Sequence, residues 1–131
     1  VIVIDASAVI ELVRRTGRGL EVDGRLRSHA APLHAPHLID IEFCQIVRRH
    51  AFQNYMSDRE AELTLSAFQS LDIERYPHGR FVGRVWELRR NMTAYDATYV
   101  ALAEALDAPL LTCDAKLAAA PGHTARIELV E

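Results

Sequence analysis

Asp5, Glu42, Asp96 and Asp114 are the residues of this 131-residue chain whose type and placement could do chemistry together. Asp5 closes the β-branched run Val1-Ile2-Val3-Ile4 and is followed by Ala6-Ser7 and a helical stretch, Ala8 to Val13. Asp114 closes Pro109-Leu110-Leu111-Thr112-Cys113 and precedes Ala115-Lys116-Leu117-Ala118-Ala119, which repeats the plan. Apolar runs without alternation mark strands covered on both faces. Two buried strands therefore each deliver an Asp at the carboxyl end, the edge where open α/β sheets bind ligands. Glu42 lies well inside a helix predicted from Leu38 to Phe52. At about 100° per residue, Ile39, Phe43, Ile46, Val47 and His50 share one face, Glu42 borders it, and Arg48 and Arg49 point away. An acid turned toward a core is costly unless it is paired or bound to a metal.

Three of the four acids have structural alternatives. Asp5 and Asp114 each stand at an N-cap, where a carboxylate accepts backbone amides. Asp96 is third after Thr93, the position of a capping-box acid opening a helix from Ala97 to Leu106, with Val100 and Ala103 on its face. Glu42 has no such alternative. If the four converge, each pair at about 5 Å and an effective dielectric near 20 repels by roughly 3 kcal/mol. Such a cluster takes up protons or binds a cation. With oxygen ligands in all four places, that cation is Mg²⁺ or Mn²⁺ rather than Zn²⁺. The matching chemistry is phosphodiester hydrolysis.

Composition permits this reading. Half of the residues are hydrophobic and a quarter charged, the balance of one soluble globular domain spanning residues 1–131. A net charge of -3 argues against a protein that coats nucleic acid but not against one that cuts it. Fourteen of the fifteen basic residues are Arg, which suits bidentate phosphate contacts. Cys44 and Cys113 make no spacing motif and read as small buried side chains. No leader precedes the first strand and no apolar run is long enough to span a bilayer, so the cytoplasm is the expected location. GxSxG, HExxH and Walker A patterns are absent, and the six histidines read as surface or packing residues. Tyr95 and Tyr99 flank the Asp96 position at helical spacing and read as core packing.

The elements needed to position the acids follow in order. Arg14-Arg15-Thr16-Gly17-Arg18-Gly19 is a glycine-punctuated break, followed by a weak second helix to about Ala30, interrupted at Gly24. Pro32 to Pro36 is a short strand. Ser57-Asp58-Arg59-Glu60 is a capping box opening a helix to about Leu71. Asp72 to Tyr76 is a more exposed strand, Pro77-His78-Gly79 a turn, Phe81 to Arg90 a helix, and Ile127 to Val130 the last strand. Strands alternating with helices imply a mainly parallel sheet wrapped on both faces.

Val-Ile-Asp-Ala-Ser-Ala at 3–8, Glu42 in a mid-chain helix, Thr-Ala-Tyr-Asp-Ala-Thr-Tyr-Val-Ala-Leu-Ala-Glu at 93–104 and Leu-Leu-Thr-Cys-Asp at 110–114 together resemble the PIN domain. More closely, they resemble the VapC toxins of bacterial toxin–antitoxin pairs. The resemblance implies a three-layer α/β/α fold with a mainly parallel sheet of four to five strands, the first and fourth central. It implies a Mg²⁺- or Mn²⁺-dependent endoribonuclease whose acids match Asp5, Glu42, Asp96 and Asp114, with Ser7 and Thr112 supporting them. It further implies a homodimer, a VapB-like antitoxin partner, and structured or translational RNA substrates such as transfer RNA. Some PIN domains carry a further acid where this chain has Ala115-Lys116-Leu117, which leaves the number of metals open.

On this reading Asp5, Asp96 and Asp114 hold metal, and Glu42 holds metal or orients the attacking water. Arg14, Arg15, Arg89 and Arg90 are candidates for RNA phosphate contact. The competing reading is a PIN-like module that docks protein or RNA without cutting. A receiver domain or a haloacid-dehalogenase phosphatase would need paired acids near the first strand or Asp-x-Asp, and the chain has Asp5-Ala6-Ser7.

Overall fold

The computed structural model describes residues 1–29 and 32–131. Five strands, β1 (Val3–Ile4), β2 (Leu33–Pro36), β3 (Ile73–Tyr76), β4 (Leu110–Thr112) and β5 (Ile127–Leu129), form one sheet in the order β3-β2-β1-β4-β5. Every pairing is parallel, with Val3 opposite both His34 and Leu110. Among the described residues, seven α-helices connect the strands: α1 (Ala6–Arg14), α2 (Gly17–Leu26), α3 (Leu38–Phe52), α4 (Asp58–Gln69), α5 (Val82–Glu87), α6 (Ala94–Leu106) and α7 (Ala115–Ala119).

Parallel connections are right-handed as a rule, which puts α1–α4 over one face as the chain runs β1 to β2 to β3, and α5–α7 over the other as it returns to β4 and β5. The packing agrees: α1 touches α2, α3 and α4, while α6 pairs with α5 and lies across β1, β2 and β4. The result is a three-layer α/β/α sandwich. Because β1 leads to one side and β4 to the other, the strand order reverses between them. That reversal opens a crevice beyond their carboxyl ends.

The core explains why β1 and β4 read as unbroken apolar runs. Ile2, Val3, Ile4, Leu110 and Leu111 are all fully buried, covered from both faces. In α6, Ala97 to Ala103 are buried without interruption, because the helix is walled in by the sheet and by α5. Phe43 of α3 stacks on Phe68 of α4 with ring centroids 4.1 Å apart, joining the helices of the other layer.

Several boundaries differ from expectation for local reasons. Gly17 and Gly19 do not break the chain. Thr16 caps α2 by accepting the Gly19 N–H at 3.0 Å, and Arg15 makes the turn out of α1 in left-handed conformation. Gly19 is also where α1 and α2 meet: a Cβ there would lie 1.9 Å from the Glu11 carbonyl oxygen. Gly24 is tolerated inside α2, which ends at Leu26; the expected end near Ala30 lies outside the described residues. The predicted Phe81–Arg90 helix begins as a 3-10 turn, Gly79–Phe81, and α5 stops at Glu87. The capping box at Ser57 is present in both directions.

Candidate active site

Asp5 is the residue after β1, at the floor of the crevice. It caps α1, its Oδ1 accepting the Ala8 N–H at 3.0 Å and the Ser7 hydroxyl at 2.6 Å. Its Oδ2 accepts the hydroxyl of Thr112, the last residue of neighbouring β4. Both hydroxyls are oriented by amides of the following loop: Cys113 N–H donates to Ser7 Oγ and Asp114 N–H to Thr112 Oγ1, each at 3.0 Å. Since each hydroxyl proton goes to Asp5, the 3.2 Å between Ser7 and Thr112 is a contact rather than a further bond. The network pins the carboxyl ends of β1 and β4 to one carboxylate.

The other three acids arrive on helices that begin at the same edge. Asp114 caps α7, its Oδ1 accepting the Lys116 N–H at 2.9 Å and the Leu117 N–H at 3.4 Å. Asp96 is the third residue of α6; Thr93 accepts its N–H at 3.2 Å, but the reciprocal carboxylate bond of a capping box does not form. The Asp96 side chain is thus not consumed by its own helix. Glu42 comes from the second turn of α3, across the crevice from α6. Asp5, Glu42, Asp96 and Asp114 line a single cleft of about 470 Å³, together with Ser7, Gln45, Arg49, Tyr95 and Tyr99. They ring it rather than meet at a point. Among the described residues, no three Asp, Glu, His or Cys side chains stand close enough to hold an ion as placed.

The electrostatics of this ring are lopsided. Burial pushes the Asp5 carboxyl up to about 6, against the pull of Ser7, Thr112 and the Ala8 amide, and Asp96 adds to the rise. Burial also raises Glu42, opposed by Tyr99 and Arg49 and reinforced by Asp96. Asp96 is raised by burial first and by Asp114 next, with Lys116 opposing. None of the four acids makes a salt bridge among the described residues. Negative charge has been gathered in a partly dry cleft and is offset only in part by Arg49 and Lys116, neither of which pairs with it among the described residues.

The basic residues divide differently from the sequence-based expectation. Arg89 and Arg90 line an adjoining groove with Asp96 and Lys116. Arg14 and Arg15 do not approach the acids, since they sit at the far end of α1, about 13 Å along its axis. Arg14 is drawn to Glu60 of α4 at 3.7 Å, and Arg15 borders a different groove between α1, α2 and α4. Arg49, expected to point away, lines the acidic cleft: it is seven residues, about two helical turns, beyond Glu42 and so returns to the same face. That spacing was available in the sequence. Arg48 does face outward, over the Phe52 ring at 4.6 Å.

Three further expectations are corrected. Tyr95 is 60% exposed at the cleft mouth because it precedes the buried stretch of α6, whereas Tyr99 is buried as expected. Cys44 is exposed, two residues past Glu42 on the outer side of α3, and Cys113 is half-buried in the loop after β4.

The PIN domain family matches residues 2–122. Ribonuclease VapC12 of Mycobacterium tuberculosis is 43% identical over 129 residues, 98% of this chain and 98% of its own. Ribonuclease VapC1 of the same organism is also 43% identical, over 130 residues, 98% of this chain and 96% of its own. The chain belongs to the PIN-domain family, in its VapC branch. The fold of this PIN domain is shared with VapBC2 from Rickettsia felis bound to a promoter DNA fragment, at a TM-score of 0.70 and 14% identity, covering 99% of this chain and 98% of that one. It is likewise shared with the Mycobacterium tuberculosis sarcin–ricin loop cleaving toxin VapC20, at a TM-score of 0.65 and 16% identity, covering 91% and 94%.

Proposed function

We propose that this VapC-type PIN domain is a metal-dependent endoribonuclease toxin that hydrolyses RNA phosphodiester bonds and is neutralised by a VapB-like antitoxin. The observation that carries the reading is the ring of four unpaired acids in one cleft, three of them with raised carboxyl pKa values. Its relatives' ribonuclease names support the RNA substrate.

The donor set fits a hard divalent cation: every candidate ligand is a carboxylate oxygen, and the cleft lacks the positive charge its acids call for. Asp5, Asp96 and Asp114 would hold Mg²⁺ or Mn²⁺, and Glu42 would hold it or orient the attacking water. When bound, the cation supplies charge neutralisation, polarises a phosphoryl oxygen and eases deprotonation of water. Ser7 and Thr112 keep both Asp5 oxygens in place by donating to them. Glu42, which has no hydrogen bond of ordinary geometry among the described residues, is the acid freest to reorient and to receive a proton from water as its oxygen attacks phosphorus. The phosphorus–ester oxygen bond then breaks, the leaving oxygen takes up a proton from solvent, and Glu42 returns its own proton to solvent.

Arg89, Arg90 and Lys116 on one side of Asp96, and Arg49 on the other, are set to contact RNA phosphates flanking the cut. Tyr95 at the mouth offers an aromatic face to a base. The substrate class we assign is structured translational RNA such as transfer RNA. The assembly we assign is a cytoplasmic homodimer, for which the exposed Val82 and Trp86 of α5 provide apolar surface. Among the described residues, no helix is long and apolar enough to cross a membrane.

The test is cleavage of total RNA and of single-stranded DNA by the purified chain with Mg²⁺, Mn²⁺ or EDTA, beside Asp5→Asn. Metal-dependent RNA cutting that Asp5→Asn lowers by about 100-fold or more, equivalent to about 3 kcal/mol of barrier, is the expected result. Cutting that persists in EDTA and in the variant would sink the acidic-site reading.

A further inference from the structure

Tyr99 lies three residues beyond Asp96 on α6, on the same helix face and deeper in the core. It is 1% exposed and among the largest fully buried side chains of the molecule, yet its hydroxyl has no hydrogen-bond partner among the described residues. Buried phenol oxygens ordinarily find a partner, and leaving one without is destabilising. Phe would fill the same space without the unpaired oxygen. The hydroxyl borders the acidic cleft, and Glu42 of α3 is the charge that acts on it most strongly. Glu42 already interacts with this hydroxyl, which holds its carboxyl down and the phenol up, although the pair makes no hydrogen bond of ordinary geometry. A donor and an acceptor therefore stand within reach of each other, one on each helical layer, without a well-formed hydrogen bond between them.

We propose that Tyr99 is a positioning residue for Glu42: when the cleft takes up a divalent cation, the Glu42 carboxylate turns inward and accepts the Tyr99 hydroxyl hydrogen bond. This rests on the four-carboxylate reading above. One Glu42 oxygen is then anchored to α6 and the other is presented to the site. The carboxylate is fixed in the loaded state without being locked in the empty one. The device explains why an oxygen is kept in a position where packing alone would favour its loss.

The experiment is Mn²⁺ titration of the purified chain by calorimetry, carried to millimolar concentration, with the Mn²⁺-induced rise in Tm as a second readout. Wild type, Tyr99→Phe, Glu42→Ala and the double variant form a cycle. Tyr99→Phe is expected to keep or raise the Tm in EDTA, because an orphaned hydroxyl has been removed. It should weaken Mn²⁺ binding by about tenfold, the order found when an outer partner of a metal ligand is lost. In the Glu42→Ala background the same change should have no effect on Mn²⁺ affinity, since the group it acts through is gone. Wild-type Mn²⁺ affinity in Tyr99→Phe, or an equal loss in both backgrounds, overturns the proposal while leaving the acidic site standing. Failure of the wild-type chain to bind Mn²⁺ overturns the site reading itself, and the Tyr99 role with it.

Discussion

Replacing Asp5 by Asn should stabilise the metal-free protein at neutral pH while removing its activity. Asp5 is 5% exposed, and burial raises its carboxyl from 3.8 to about 6. A rise of that size penalises the ionised folded state by about 3 kcal/mol relative to the unfolded chain. The sign follows from a folded pKa above the unfolded one. The penalty is full above about pH 6, shrinks as pH falls from 6 toward 3.8, and is gone below that. Asn keeps the geometry: one amide oxygen can still accept from Ser7 and Ala8, and its NH₂ can donate to Thr112, whose hydroxyl is free to rotate toward Ser7 at 3.2 Å. Allowing for imperfect replacement, Asp5→Asn should gain about 2 kcal/mol at pH 7.5 in EDTA, a Tm rise of roughly 5–10 °C for a domain of this size. The assay is thermal unfolding of both proteins between pH 4 and 8 in EDTA, reading only their difference so that shared titrations cancel. Saturating Mn²⁺ should narrow the gap at pH 7.5, because the wild-type site then gains the counter-charge it lacks. A variant no more stable than wild type at pH 7.5, or an advantage that does not shrink on acidification, would refute the account of Asp5 as an ionised group buried at a cost.

The cationic rims separate by position. Arg49→Ala and Lys116→Ala should weaken RNA binding across sequences and each reduce the salt slope of log K by about one, whereas Arg15→Ala, at the far end of α1, should leave both unchanged in filter-binding titrations. In the fold, Gly19→Ala would drive a methyl to 1.9 Å from the Glu11 carbonyl oxygen, a backbone atom that cannot swing away. A loss of about 3 kcal/mol or more is expected by urea unfolding, and a near-neutral result would mean that α1 and α2 can separate at little cost.

The order and kind of elements were legible because each is written in local chemistry. The unbroken apolar runs at Val1–Ile4 and Pro109–Cys113 mark strands buried on both faces, and Ser57 with Glu60 spells a helix start that the structure reproduces in both directions. Leu38–Phe52 is bounded as its periodicity predicts. Local chemistry also put forward the four acids: three stand at a strand end or helix start and Glu42 borders the apolar face of its helix, each visible in one stretch of chain. Where local pattern was read too narrowly it misled: Gly17 and Gly19 looked like a break, but Thr16 capping and the close approach of Glu11 make Gly19 a requirement of helix packing.

What one stretch of sequence cannot express is which ends of which elements meet. That Ser7 and Thr112, 105 residues apart, both donate to Asp5 follows only from β1 lying beside β4. That Arg14 and Arg15 stand away from the acids depends on which end of α1 faces the crevice, and this is settled by the crossovers and strand order. The partnerless hydroxyl of Tyr99 belongs to the same class, because a side chain's lack of a partner is a property of everything packed around it. The sequence alone determined the residues able to do chemistry and the elements that carry them, through short-range periodicity and capping. Their distances, burial and charge balance were decided by long-range parallel pairing and by two helical layers closing over one sheet.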